Sequence, residues 1–250
     1  METKVDNLRV ESYETREQMG KTAAHDVCVA INKLLATQSE VNIIFAAAPS
    51  QRDLYAGLLE QDIPWEKINA LHMDEYVGIT EDQPQSFRNY LKTNLFEKVP
   101  LKSVHYIQGE NPDSASECQR YENILKTHQP NIVCMGIGEN THIAFNDPPV
   151  ADFTDDKWVK RVELDQDCRQ QQVNDGCFAK IADVPTHALT LTVPALISAT
   201  YIFCIVPAAT KAQAVYHTLH EVVSEKFPST ILRKHEQAKL YLDKESSSLI

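Results

Sequence analysis

No tract of this sequence is rich in Ser and Gly, none holds five or six like charges in a row, and no segment repeats at a solenoid period. Those absences exclude a flexible linker, a charged tail and a repeat array. One domain over residues 1–250 is the expectation, a length able to bury one sizeable core. A long hydrophobic run is missing as well. The longest, Val193 to Val206, is bracketed by Pro194 and Pro207 and interrupted by Ser198, Thr200 and Tyr201. It is too short to span a bilayer and reads as a helical turn followed by a buried strand. The opening Met1-Glu2-Thr3-Lys4-Val5-Asp6 has no apolar secretory core. A cytoplasmic protein without a membrane partner is expected.

Positive charge is in deficit: 24 Lys and Arg stand against 35 Asp and Glu, a formal net charge of −11. The overall field repels phosphate polymers, which argues against nucleic acid and anionic membranes as partners. A small phosphate ester needs only a few local donors and is not excluded. Among the six cysteines, Cys28, Cys118, Cys134, Cys168, Cys177 and Cys204, there is no Cys-x-x-Cys pair and no zinc-site spacing. They read as inert cytosolic thiols, with no metal expected. Cys118, Cys134 and Cys204 fall at apolar positions, where cysteine behaves as a small hydrophobe.

What is present is an alternation. Val41–Ala47, Ile68–Met73, Ile132–Ile137, Tyr201–Val206 and Lys239–Leu242 read as strands, the first, third and fourth nearly continuous in apolar residues, as parallel strands covered on both faces require. Between them Ala115, Cys118, Tyr121 and Ile124 recur at helical spacing, as do Ala212, Val215, Leu219 and Val222. The expected fold is α/β: a doubly wound, mostly parallel sheet with helices on both faces. Ligands of such sheets bind beyond the carboxyl ends of the strands. The loops to inspect are therefore Ala48–Arg52, Asp74–Gly78, Gly138–Asp147 and Pro207–Lys211.

Two of these loops carry acid–base groups. Leu71-His72-Met73-Asp74-Glu75-Tyr76-Val77-Gly78 places adjacent carboxylates just after a strand, where they are either solvated or supply a general base at a cleft edge. In Gly136-Ile137-Gly138-Glu139-Asn140-Thr141-His142-Ile143-Ala144-Phe145-Asn146-Asp147-Pro148-Pro149 the glycines let the chain turn sharply and approach a ligand as the strand ends. Asp147, five residues beyond His142, can fix its tautomer and support its protonated form, so that the imidazole shuttles protons near neutral pH.

Met73-Asp74-Glu75-Tyr76-Val77-Gly78 together with Gly138-x-x-x-His142-Ile143-Ala144-Phe145-Asn146-Asp147-Pro148 resembles the glucosamine-6-phosphate deaminase family, in a superfamily shared with 6-phosphogluconolactonase. The likeness runs from about residue 20 to 245 and includes Val184-Pro185-Thr186-His187-Ala188-Leu189-Thr190. By that resemblance Asp74 matches the base that moves a proton between C2 and C1 of the opened sugar. His142 matches the histidine that assists ring opening, with Asp147 as its carboxylate partner. The family usually has Asp where Asn140 stands and Glu where Asp147 stands, so ring opening is expected to be slower or differently arranged. No cofactor is implied. The family's members are often oligomers, so a homo-oligomer belongs to the same expectation.

At the phosphate end, Phe45-Ala46-Ala47-Ala48-Pro49-Ser50-Gln51-Arg52 leads a strand into a helix, whose free N–H groups and dipole could hold a phosphate with the Ser50 hydroxyl. An ordinary βα turn with Ser50 near the cap fits the same residues. The family's glycine-rich turn is absent, and Pro49 removes a donor. Lys211 matches a family lysine that contacts phosphate. Gly138 and Thr141 line up with substrate-binding positions. A lid arginine has no clean match, the nearest candidate being Arg169 in Cys168-Arg169-Gln170-Gln171-Gln172. Alternatives are a 6-phosphogluconolactonase, a galactosamine-6-phosphate deaminase or isomerase, and a non-catalytic sugar-phosphate sensor. Lactonases usually continue from the histidine into Thr-Ala-Ser-Leu, unlike Ile143-Ala144-Phe145-Asn146. Sensors normally carry a helix-turn-helix, for which about twenty polar N-terminal residues leave no room.

Overall fold

The computed structural model describes residues 2–250. In chain order the elements of the first half are β1 (Glu2–Val5), β2 (Leu8–Tyr13), α1 (Arg16–Leu35), β3 (Val41–Phe45), α2 (Arg52–Leu59), β4 (Ile68–His72), β5 (Asp74–Tyr76), α3 (Phe87–Asn94), β6 (Ser103–His105) and α4 (Ser114–Thr127). The second half contributes β7 (Ile132–Met135), β8 (Val159–Glu163), α5 (Gln166–Asn174), β9 (His187–Leu191), α6 (Val193–Ile197), β10 (Tyr201–Val206), α7 (Ala212–His220) and β11 (Ala238–Asp243).

Eight strands form the central sheet in the order β1-β2-β11-β10-β7-β3-β4-β6. Only β1 runs antiparallel to its neighbour; the other pairings are parallel. From β3 the chain winds outward through β4 to β6, returns to β7 on the opposite side of β3, then winds outward again through β10 and β11. The direction reverses between β3 and β7, and such a reversal leaves a crevice beyond the carboxyl ends of the two strands.

Strand alternation builds the two layers. Ile43 and Phe45 of β3, Ile132 and Cys134 of β7, and Phe203 and Ile205 of β10 join one core with α1 and α2. Ile44, Val133, Met135, Ile202, Cys204 and Val206 join the other, with α4, α6 and α7. Both faces of these strands meet a helix layer, which is why their sequences are nearly continuous in apolar residues, Asn42 of β3 being the polar exception. A second, antiparallel sheet, β5-β9-β8, stands over the crevice on its own cluster of Tyr76, Phe87, Phe145, Val162, Phe178 and Ala188.

The five expected strands are β3, β4, β7, β10 and β11; β10 has the expected bounds and the others have one or both ends moved by one or two residues. Both expected helix stripes need correction. In α4 the buried line is Glu117, Tyr121 and Leu125, while Ala115 is exposed. Glu117 can be buried because it accepts from Gln108 N and from Arg120. Helix α7 stops at His220, leaving Val222 outside it and 81% exposed. The polar N-terminal residues form a hairpin at the sheet edge and lead into α1. The alternation of buried Leu8 and Val10 with exposed Arg9 marks β2 as a half-buried strand.

Candidate active site

A cavity of about 430 Å³ opens at the β3/β7 reversal, and Ser50, Asp74, Gly138, His142 and Lys211 all line it. They come from the ends of four different strands or the turns after them, Gly138 and His142 sharing the turn after β7. The carboxylate and the imidazole expected to act together therefore share one opening.

Asp74 reaches the cavity because the chain changes sheets. After His72 it leaves the central sheet, Met73 bridges the gap by accepting from Leu191 N at 2.8 Å, and Asp74 begins β5, opposite Thr190. The crossing is fixed from below by His72, whose Nε2 accepts from Ile107 N at 2.8 Å and whose backbone is held by the Tyr121 hydroxyl. Burial, aided by the charge of Arg88, lowers the His72 pKa to about 3, so the ring stays neutral and able to accept.

Strand alternation then separates the two acids. Glu75 points into the core and accepts from Tyr76 N, Ser86 Oγ, Phe87 N, Arg88 N and Arg88 Nε. It closes the N-terminus of α3 and pairs with an Arg88 that also grips Glu110. Asp74 faces the cavity, 7% exposed, and its carboxylate has no hydrogen-bond donor among the described residues. Burial first, and then the charge of Glu75, push its pKa well above the usual carboxylate range. A carboxylate stripped of water and donors is a stronger base than one in solution.

His142 sits on a tight loop. Gly138 N donates to His142 O at 2.9 Å, Thr141 N to Gly138 O at 3.0 Å, and Thr141 takes φ +72°. The ring lies directly over the Gly138 Cα, where a Cβ would overlap Cε1, Nε2 and Nδ1. His142 Nδ1 is 2.9 Å from Asp147 Oδ1, although the angle falls short of a well-formed hydrogen bond and Nδ1 counts among the unpartnered buried atoms. Asn140 fixes the pair from both ends: its Nδ2 donates to Asp147 Oδ1 at 2.9 Å and its Oδ1 accepts from His142 N at 3.1 Å. Burial pushes the Asp147 carboxyl up, but the nearby His142 ring and the Asn140 hydrogen bond outweigh it and hold the pKa below its ordinary value. Asn140 and Asp147 thus stand behind His142 and do not line the cavity. Thr141 is buried beside them, outside the lining, with its hydroxyl unpartnered.

The turn after β3 is held by its carbonyls. The Tyr55 hydroxyl donates to Ala46 O, Tyr90 Oη to Ala48 O at 2.9 Å, and Arg16 Nη2 to Pro49 O at 3.3 Å. Gln51 Nε2 ties the turn to Met135 O and Ile205 O across the sheet. The N–H groups of Ala47, Ala48 and Ser50 find no acceptor among the described residues, so the turn presents donors at the cavity. Lys211 enters from the turn after β10, and burial lowers its pKa. Its approach depends on Ala208, which adopts φ +83° and ψ 149° while its N–H donates to both carboxylate oxygens of Asp243.

Arg169 needs correction. It lies on α5, but its guanidinium donates to Ile181 O at 2.8 Å and Val184 O at 2.9 Å and lies outside the cavity lining. Those carbonyls belong to the turn following the helix and hold it as a local brace. Arg16, Tyr90, Gln171, Asp175 and Cys177 line the cavity and were not singled out from the sequence. No local motif marks them: Arg16 opens α1, Tyr90 lies within α3, and Gln171, Asp175 and Cys177 lie on α5 and the turn after it, whose approach to the crevice only the tertiary structure reveals.

Sequence spacing also gave no sign that His142, Asp147 and Cys168 bring ligand atoms within 4.8 Å of one another, a buried set able to hold a divalent ion. Burial and the neighbouring Asp147 carboxylate raise the Cys168 thiol far above its ordinary pKa, which favours an S–H facing Asp147 over a thiolate ligand.

Fold and cavity define a doubly wound α/β protein with a carboxylate and a carboxylate-backed imidazole at its switch point. The chain belongs to the glucosamine-6-phosphate isomerase/6-phosphogluconolactonase family, whose model matches residues 14–241. It is 34% identical over 215 residues to the glucosamine-6-phosphate deaminase of Listeria innocua, covering 86% of this chain and 90% of that protein. It is 31% identical over 243 residues to that of Streptococcus pneumoniae, covering 97% and 100%. A solved monomeric glucosamine-6-phosphate deaminase superposes with TM-score 0.88 at 26% identity, covering 96% of this chain and 99% of the other. The 6-phosphogluconolactonase of Thermotoga maritima shares the fold, with TM-score 0.76 at 21% identity and 94% and 99% coverage. Among the described residues, no helix is long and apolar enough to cross a membrane.

Proposed function

We propose that this protein converts glucosamine 6-phosphate and water into fructose 6-phosphate and ammonia. The observation that carries the reading is that Asp74, His142, Ser50 and Lys211 line one cavity. With the phosphate at Ser50 and Lys211, C1 and C2 of the sugar lie at Asp74 and the ring oxygen at His142. His142, supported by Asp147 and Asn140, takes the proton of the C1 hydroxyl and delivers it to the ring oxygen as the C1–O5 bond breaks and the aldehyde forms. Asp74 removes the C2 proton, giving an enolamine, and returns it at C1. The C2 imine so formed adds water and expels ammonia, leaving the ketose. Holding the remote phosphate supplies orientation for carbon acids that are otherwise slow to ionise.

Incubating the purified protein with glucosamine 6-phosphate, galactosamine 6-phosphate and 6-phosphogluconolactone, while following ammonia, ketose phosphate and acid release, tests this. Ammonia and ketose phosphate from glucosamine 6-phosphate, abolished in Asp74→Asn, are expected. Acid release from the lactone alone would replace the reading with lactone hydrolysis.

A further inference from the structure

We propose that Arg16, rather than an arginine of α5, is the guanidinium that grips the substrate's phosphate, an inference that rests on the sugar-phosphate reading above. A phosphomonoester dianion at neutral pH carries more charge than Lys211 alone balances, and a guanidinium, always protonated, supplies a second positive charge with donors fixed in one plane. Arg169 lies outside the cavity lining, with Nη2 donating to Ile181 O and Val184 O. Arg16 lines the cavity with Ser50 and Lys211.

Its placement is built by helix packing. Gly20, one turn along α1, lies so close to α2 that a Cβ would meet the Asp53 main chain and Cβ at 2.6–2.7 Å, and a Cβ on Gly57 would meet that of Ala24 at 2.8 Å. This close crossing brings the start of α1 against the turn after β3. There Asp53 Oδ2 accepts from Arg16 Nε at 2.9 Å and from Nη2 at 2.7 Å, while Nη2 also donates to Pro49 O. Nη1 is left without a partner among the described residues. The guanidinium is thus anchored along one edge and open along another, beside a turn whose Pro49 supplies no N–H. Arg16 restores at that turn a donor that a glycine-rich version would provide from its backbone.

The test uses the full-length protein and two readouts: calorimetric titration with inorganic phosphate, and steady-state kinetics with glucosamine 6-phosphate. Arg16→Gln is expected to weaken phosphate binding and raise KM by about tenfold or more, the worth of a hydrogen bond to a charged group, with a much smaller change in kcat. Arg16→Lys is expected to recover part of the loss, and Arg169→Gln to leave phosphate affinity within about twofold. Because Arg16→Gln also releases Asp53, Asp53→Asn separates charge from packing: it should retain phosphate binding. Unchanged affinity in Arg16→Gln, an equal loss in Asp53→Asn, or a loss in Arg169→Gln instead would overturn the assignment. Phosphate titration needs no turnover. An Arg16-dependent phosphate site in a protein that releases no ammonia would sink the deaminase reading and leave this one standing.

Discussion

Replacing Gly138 with alanine probes the most crowded contact of the site. Gly138 does not occupy the left-handed region, so its backbone admits alanine, and the only obstacle is the His142 ring lying over it. The added methyl must push the ring off Asp147. Overpacking of this kind costs about 1–3 kcal/mol, partly offset by the ~0.4–1 kcal/mol that Gly→Ala gains from a stiffer unfolded chain. The expected net loss is about 1–2 kcal/mol, with kcat falling on the order of a hundredfold, as for a misplaced reacting group. In a His142→Ala background the obstacle is gone. There the same substitution should be neutral or stabilise by ~0.4–1 kcal/mol, a coupling of about 2 kcal/mol between adjacent residues. Urea denaturation of the four proteins, followed by far-UV circular dichroism at pH 7, measures this. Equal destabilisation in both backgrounds would refute the claim that the imidazole is what requires a glycine at 138.

Asp74→Asn should abolish deamination yet stabilise the fold at neutral pH. A carboxyl whose folded pKa is raised by burial favours the native state below the unfolded value of about 3.9 and loses that contribution as pH rises through the folded pKa. The variant's advantage in urea midpoint should therefore shrink between pH 7 and pH 5, and an advantage that grows in acid would contradict it. Glu75→Ala leaves Arg88 buried without its inner partner and should cost about 3–5 kcal/mol by the same assay; a loss under 1 kcal/mol would refute the clamp. Ala208→Gly relieves a backbone conformation nearly confined to glycine and should raise stability by about 1 kcal/mol, read as a higher melting temperature.

Strands buried on both faces announce themselves, because each position must be apolar to meet a helix layer; β10 was legible to the residue. The His142 loop was legible too, since its glycine, imidazole and carboxylate lie within ten residues, Gly138 to Asp147. What failed was whatever depends on polar partners that hydrophobic periodicity does not encode. The stripe chosen for α4 passed over Glu117, because its burial is stabilised by Arg120 and by an amide from another loop. Arg169, the nearest candidate for a lid arginine, instead points Nη2 at the carbonyls of Ile181 and Val184, outside the cavity lining. Arg16 carries no motif, and its relevance arises from two glycines on different helices that bring α1 and α2 together.

The pair Asp74-Glu75 shows how one local rule divides two chemically equal residues. In a strand neighbouring side chains point to opposite faces, so a chain that changes sheets at Met73 necessarily sends one acid to the crevice and the next into the core. Both are desolvated, and burial raises the pKa of each. Their roles separate because the core acid is surrounded by donors, from the amides of α3 and from Arg88, whereas the crevice acid has none. The donors favour the charged form of Glu75 and make it a fixed strut. Asp74, lacking them, keeps an unsatisfied affinity for a proton. The strut's own negative charge increases that affinity, so the residue that anchors α3 also strengthens the base beside it.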